Sequence, residues 1–380
     1  MVALPVYSPD MIGTAVFVLG ILQGATKGGV QPLPVKGLHL SAPKTSNIGM
    51  LTNFIRKSLP KEGVNTLVLE FDYRFKFKKH PEVADGDAYS IPQVQEIVSA
   101  CKDAHIRLIP QINLLGHQSW DKTTESLLIA HPEFDETRGK YPNNKGIYCR
   151  SYCPNAPGLH AFIFDLIDEL CDACEADAFH TGLDEVFILA DPDCPNCKGK
   201  NSADVFAGEV NVLHDHLQKS KRQMWMWGDR FLDGRSNGLG EWEASTNGTY
   251  TAINKVPRDI VICDWHYEHA EPTPAFFAVT GLPVVASPWR RTDLALQQLA
   301  FIESLRKSAN GTLSQNAKGI LHTTWCEAEA FIRAYDGDKK QEKSAVESSA
   351  CFKSLFRQIR LNEQWSTGKI PTGARKSVNP

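Results

Sequence analysis

Short runs rich in β-branched and aromatic residues alternate with longer segments whose apolar positions recur every three to four residues. That alternation is the mark of parallel strands joined by crossover helices. It predicts eight strands, at Val35–Ser41, Thr66–Tyr73, Ile106–Ile112, Ala178–Gly182, Gln223–Gly228, Asp259–Trp265, Pro283–Ser287 and Gly319–Trp325. Eight strands in such an order imply an α/β fold, a single-domain (β/α)8 TIM barrel. Among the intervening helices, Ile91–Ala104 gathers Val94, Ile97 and Val98 on one face, and His160–Glu175 gathers Phe162, Leu166, Ile167 and Leu170. Two connections are long, 113–158 after the third strand and 229–258 after the fifth. Insertions at the C-terminal ends of barrel strands line the active site. Cys351–Leu361 reads as the closing helix. The expected limits are 1–34 for an N-terminal segment, 35–362 for the barrel and 363–380 for a loose tail.

Composition narrows the function. A net charge of −3 lacks the positive excess of a protein that neutralises phosphates, so nucleic acid is not an expected partner. No apolar run reaches the roughly 18 to 20 residues that a membrane helix needs, so no membrane is expected either. Met11–Leu22 has the length of a signal-peptide core and is followed by Gly24 and Ala25, yet no Lys or Arg precedes it. Localisation therefore stays open, with a secreted or periplasmic protein favoured over a cytoplasmic one.

Barrel enzymes place their chemistry where strands end. The predicted ends carry Asp72 and Arg74, then Asn113 and His117, then His180, Asp184 and Glu185. Trp227 and Asp229 follow at the fifth, Asp264, Trp265 and Tyr267 at the sixth, Trp289 and Arg290 at the seventh, Trp325 and Glu327 at the eighth. Indole faces pack on the C–H faces of sugar rings, whereas sugar hydroxyls need carboxylates and amides. A carbohydrate is the expected partner. Adjacent carboxylates at a strand end can divide the work: one stays charged while the other, in an apolar pocket, holds the proton of a general acid.

The stretch Phe179-His180-Thr181-Gly182-Leu183-Asp184-Glu185-Val186 resembles the H-x-G-G-D-E signature of the family 20 glycoside hydrolases, the β-N-acetylhexosaminidases, with Leu183 at the second glycine. Further resemblance lies in Lys79-His80-Pro81-Glu82, in Leu108-Ile109-Pro110-Gln111-Ile112-Asn113 with Gly116-His117, in Tyr152-Cys153-Pro154-Asn155, and in Trp325-Cys326-Glu327. It spans about residues 35–335. The resemblance implies removal of a terminal N-acetylhexosamine by substrate-assisted retention, in which the substrate's own acetamido oxygen attacks the anomeric carbon. By it, Asp184 orients the acetamido group and Glu185 is the general acid and base. Trp227, Trp265 and Trp325 wall the acetamido pocket, Tyr267 donates to the acetamido oxygen, and Glu327 holds ring hydroxyls. His117 and His180 are expected to orient the active-site carboxylates, and Asp229 and Trp289 to complete the substrate site. No cofactor or catalytic metal is called for.

Departures from the family pattern bear on the sugar. The strand-one Arg has no counterpart in Gly37–Pro43, the strand-two acids shrink to Glu70-Phe71-Asp72-Tyr73-Arg74-Phe75, Gln111 and Asn113 replace two carboxylates, and Trp289 stands for a Tyr. Two other function classes follow: a carbohydrate-binding barrel without turnover, and a metal-dependent hydrolase built on His117, His180 and Asp184. Ten cysteines include Cys171-x-x-Cys174 and Cys194-x-x-Cys197. Barrel geometry sets those pairs at opposite ends, so a quartet of Cys149, Cys153, Cys194 and Cys197 is the geometrically possible one, as a structural zinc site or two disulfides, the alternative being free thiols.

Overall fold

The computed structural model describes residues 31–366. Strands β1 (Val35–Ser41), β2 (Thr66–Glu70), β3 (Arg107–Leu114), β4 (Ala178–Gly182), β5 (Gln223–Trp227), β6 (Val261–Asp264), β7 (Val284–Ala286) and β8 (Ala317–His322) pair in parallel in chain order, and β8 closes on β1. The α/β barrel expected from the sequence is therefore present. Residues 32–361 make one compact unit; of the second unit only residue 31 and the helical turn 362–366 are described.

Burial on both faces explains the strand composition, because a parallel sheet wrapped by helices leaves no polar side. One apolar cluster fills the barrel interior with Val35, Val68, Ile109, Ala178, Trp225, Trp227, Val261, Cys263, Val285 and Leu321. A larger one lies between sheet and helices and includes Leu38, Leu67, Val94, Ile97, Ile163 and Leu166. Helix Ile91–Asp103 starts at a capping box made by Ser90 and Gln93, and Ser202–Lys219 starts where the Asn201 side chain accepts from the amides of Ala203 and Asp204.

Many strand ends shift by one or two residues from the sequence reading, and three elements differ in ways that matter for the site or the limits of the barrel. β2 stops at Glu70 rather than Tyr73, since Asp72 turns the chain at φ +49°. Phe71 and Tyr73 keep the alternation going but are buried in the following loop. β8 runs 317–322, and Thr323 leaves the ladder by donating its amide to Pro288 O. Trp325 thus sits in a loop. The closing helix spans Lys343–Ser366, longer than its apolar core, and reaches into the stretch expected to be loose. Residues 1–30, with the signal-like Met11–Leu22, and 367–380 lie outside the described residues. None of the described helices is long and apolar enough to cross a membrane.

Candidate active site

After Gly182 the backbone makes a sharp turn. Gly182, Leu183 and Glu185 all have positive φ, at +69°, +67° and +47°. On an extended strand neighbouring side chains point to opposite sides; here the left-handed turn brings Asp184 and Glu185 to one cavity of about 600 Å³. Gly182 is required, because a Cβ there would stand 2.9 Å from Asn113 Cα. Gly116 is required too: its Cβ would meet Asp184 O at 2.7 Å, so the third loop packs directly against the turn. Leu183 occupies a conformation that suits glycine, held by complete burial.

His117 bridges the two carboxylates, with Nε2 at 3.3 Å from Asp184 Oδ2 and 3.4 Å from Glu185 Oε2. Burial alone would lower the imidazole's pKa, but the Asp184 charge and bonds to both acids raise it well above the usual histidine range. It is a cation. Asp229, directly behind, accepts from the Glu185 amide at 3.0 Å and from Arg230 Nε at 2.6 Å. Burial lifts Asp229 to about 6 against the pull of Arg230.

One wall is aromatic. Trp265 stacks on Tyr267 with centroids 5.1 Å apart, and Trp289 meets Tyr267 edge-on at 5.4 Å. The Tyr267 hydroxyl accepts from Trp325 Nε1 at 2.6 Å. Thr323 gives its proton to Pro288 O, so the Tyr267 proton is free for Thr323 Oγ1, 3.3 Å away, or for a ligand in the cavity. Burial raises this phenol and keeps it protonated. The opposite wall comes from the long loops. Trp120 and Tyr148 lie edge to face at 5.1 Å, and Tyr148 and Trp242 at 4.9 Å. Trp120 and Trp242 are 56% and 49% exposed, whereas Trp265 is 9% exposed.

Two buried arginines order these loops. Arg150 bonds Asn144, Asp135 and the carbonyls of Lys140 and Tyr141 within the third loop. Arg230 donates to Glu241 O and Trp242 O in the fifth. Glu243 beside them accepts from the Tyr267 amide at 3.3 Å and from His266 at 2.9 Å, tying the fifth loop to the end of β6. The cavity floor is acidic. Glu70 accepts from Gln111 at 2.7 Å and lies 3.4 Å from His39; burial raises its pKa, yet His39 brings it below the ordinary value. Burial and the Glu70 charge push Asp72 well up, and burial with the Asp85 charge lifts Glu125 to about 7.

The structure thus brings Asp184, Glu185, His117, Trp265, Tyr267, Trp289 and Trp325 to one cavity. Others move. Trp227 is not a wall: it fills the barrel beneath, against His39, His180 and Trp325, because the inward register of β5 places it below the rim. His180 touches neither carboxylate; its Nδ1 accepts from the Gly182 amide, and burial pushes its pKa well down, so it is a neutral core histidine supporting the turn. Glu327 lies outside the cavity, exposed at the start of helix Ala328–Tyr335, where the helix dipole favours an acid. Asp229 is buried behind the cavity as a positioning group. Glu70, Tyr73, Trp120, Glu125, Tyr148, Trp242 and Glu243 line it without having been singled out. Most sit on the two long loops, where clustered aromatics and acids, each loop with a pinning arginine, were the available signal.

Two groups of side chains have metal-ligand geometry among the described residues: His117, Asp184 and Glu185, and Glu136, Cys153, Cys194 and Cys197. The first omits His180, which the metal-hydrolase reading included. The second exchanges Cys149 for Glu136, because the Cys149 thiol instead faces Glu185 O at 3.6 Å.

Residues 57–347 match the family described as glycosyl hydrolase family 20, catalytic domain. A β-hexosaminidase of Vibrio furnissii is 24% identical over 252 residues, covering 64% of this chain and 37% of that protein. One of Porphyromonas gingivalis is 23% identical over 173 residues, 42% of this chain and 22% of that protein. The chain spans well under half the length of these curated relatives. Among solved structures, the chitobiase of Flavobacterium johnsoniae has a TM-score of 0.58 at 16% identity, covering 88% of this chain and 52% of that one. The β-N-acetylhexosaminidase of Bacteroides fragilis has 0.55 at 16%, covering 89% and 71%. The family match extends over most of the barrel and includes every strand from β2 to β8, and the chain belongs to glycosyl hydrolase family 20.

Proposed function

We propose that this chain hydrolyses terminal β-linked N-acetylhexosamine, GlcNAc or GalNAc, by substrate-assisted retention. The observation that carries the reading is the turn at 182–185, which presents Asp184 and Glu185 to one cavity facing Tyr267 and its indoles. In the first step the acetamido oxygen attacks the anomeric carbon while Glu185 gives a proton to the leaving glycosidic oxygen. Asp184 holds the acetamido N–H and balances the positive charge that grows on the oxazolinium ion; Tyr267 donates to the acetamido oxygen. Glu185, now a base, takes a proton from the water that opens the ring. His117 holds the two carboxylates apart in orientation, and Asp229 fixes the Glu185 amide.

Sugar hydroxyls face Glu70, Asp72 and Glu125 in place of the family's arginine, and Trp120 and Trp242 offer stacking faces at the rim for the next residue of a chain. The test is hydrolysis of chromogenic β-GlcNAc, β-GalNAc and β-glucoside. Turnover of either acetamido sugar but not the glucoside, with competitive inhibition by a thiazoline analogue of the cyclised intermediate, is expected. Binding of acetamido sugar without turnover would leave the non-catalytic barrel; equal turnover of the glucoside would refute the substrate's participation.

A further inference from the structure

We propose that Glu136, Cys153, Cys194 and Cys197 form a closed structural zinc site that staples the third βα loop to the loop carrying Asp184 and Glu185. The four residues are buried, and one potential ligand atom from each lies within 4.8 Å of all the others. Cys153 Sγ is 3.1 Å from Cys197 Sγ and 3.5 Å from Cys194 Sγ. Four ligands at the usual Zn–S length of about 2.3 Å, arranged tetrahedrally, stand about 3.8 Å apart, so small side-chain rotations complete the set.

A disulfide satisfies this cluster poorly. Cys153 is shared between two neighbours and can bond only one of them, leaving a third thiol and a carboxylate buried together. The carboxylate is the second, independent observation. Glu136 is 1% exposed; its Oε1 accepts from the Asp191 amide at 2.8 Å, which turns Oε2 towards the sulfurs. There Oε2 has no hydrogen-bond partner of ordinary geometry among the described residues. A buried carboxylate oxygen with only thiols beside it is poorly satisfied, and a divalent cation is the group that three thiols and a carboxylate would share.

Local structure supports the same assignment. In Cys194-Pro195-Asn196-Cys197 the chain folds back on itself, Lys198 N donating to Cys194 O and Lys200 N to Cys197 O, as befits two ligands on one short turn. Asn155 Nδ2 donates to Cys197 Sγ at 3.2 Å, a bond that offsets negative charge on a thiolate. Four protein ligands leave no open position, so the ion would hold structure and not activate water. On binding, the thiol protons leave to solvent.

The experiment uses the full chain expressed with zinc. Elemental analysis is expected to find about one zinc per chain, and a mercurial added to the native protein should release it into a colorimetric zinc indicator as about three thiols react. Cys194→Ser with Cys197→Ser should retain less than about a tenth of the zinc and melt at lower temperature; Glu136→Gln should bind at least about tenfold more weakly. His117→Ala should keep its zinc, which separates this cluster from the one in the cavity and makes the result independent of the hydrolase reading. A metal-free chain with all ten thiols free, a chain two hydrogens lighter, or zinc lost with His117→Ala alone would each overturn the proposal. If the double cysteine variant does not fold, mercurial treatment of the native protein decides: release supports the site and no release overturns it.

Discussion

The loop that leaves β4 contributes to two clusters of potential ligands, through Asp184 and Glu185 and, about ten residues on, through Cys194 and Cys197, and they have opposite characters. At Asp184 and Glu185 the third member is a positively charged histidine and the cluster opens on a cavity of about 600 Å³. At Cys194 and Cys197 the partners are a thiol and a carboxylate, all buried. Spacing alone would class both as metal sites. What separates them is the source of positive charge: in the first the carboxylates favour a charged His117, and in the second none of the four clustered residues can carry one.

The largest effect should come from breaking the first cluster. Glu185→Gln is expected to lower kcat by about 10²–10⁴-fold on an acetamido sugar with an ordinary leaving group, while KM changes little; steady-state kinetics measure it. Next comes the support behind that cluster. Asp229→Asn leaves the fully buried Arg230 without its counter-charge, a loss of about 3–5 kcal/mol in urea unfolding, with reduced kcat because a neutral amide oxygen holds the Glu185 amide less firmly than a carboxylate. Removing the phenol that faces the carboxylates, Tyr267→Phe, should cost about 10²-fold in kcat on acetamido substrates, with the protein still folded by circular dichroism.

The smallest effect concerns the acidic floor. Glu125 holds its proton up to about 7 in the folded state, whereas an unfolded glutamate releases it near 4.3. Between those values the native state binds more protons than the unfolded one, so this group's contribution to stability is fully present below about pH 4 and is lost as pH rises through 7. Glu125→Gln should therefore gain stability over the parent from pH 5 to pH 8, on the order of 1 kcal/mol, read as a growing difference in Tm. A constant difference would sink the assignment.

How much of this was legible in the sequence differs between strands, turn and loops. Periodicity located all eight strands because parallel strands buried on both faces stand out as apolar runs. It overran β2 and β8, since Tyr73 and Trp325 are aromatic residues that continue an alternation after the ladder has ended. The paired carboxylates were legible from their motif. Trp227 and His180 face inward as expected but sit below the rim, because how far along its strand an inward side chain lies decides whether it reaches the cavity, and composition does not carry that depth. Glu243, Tyr148 and Glu136 act through contacts between loops far apart in the chain, and no local pattern encodes those. Cys149 shows the same limit: it sits four residues from Cys153, yet its thiol faces Glu185 instead.

Leu183 has a consequence for anyone who would engineer this barrel. Its left-handed backbone costs about 1 kcal/mol that glycine would not, so replacement by glycine looks like a repair. The leucine side chain is wholly enclosed, however, and emptying its volume costs about 2–5 kcal/mol. The ancestral-looking residue would therefore weaken the protein it seems to restore, and a consensus swap at this position needs a compensating graft in the surrounding packing.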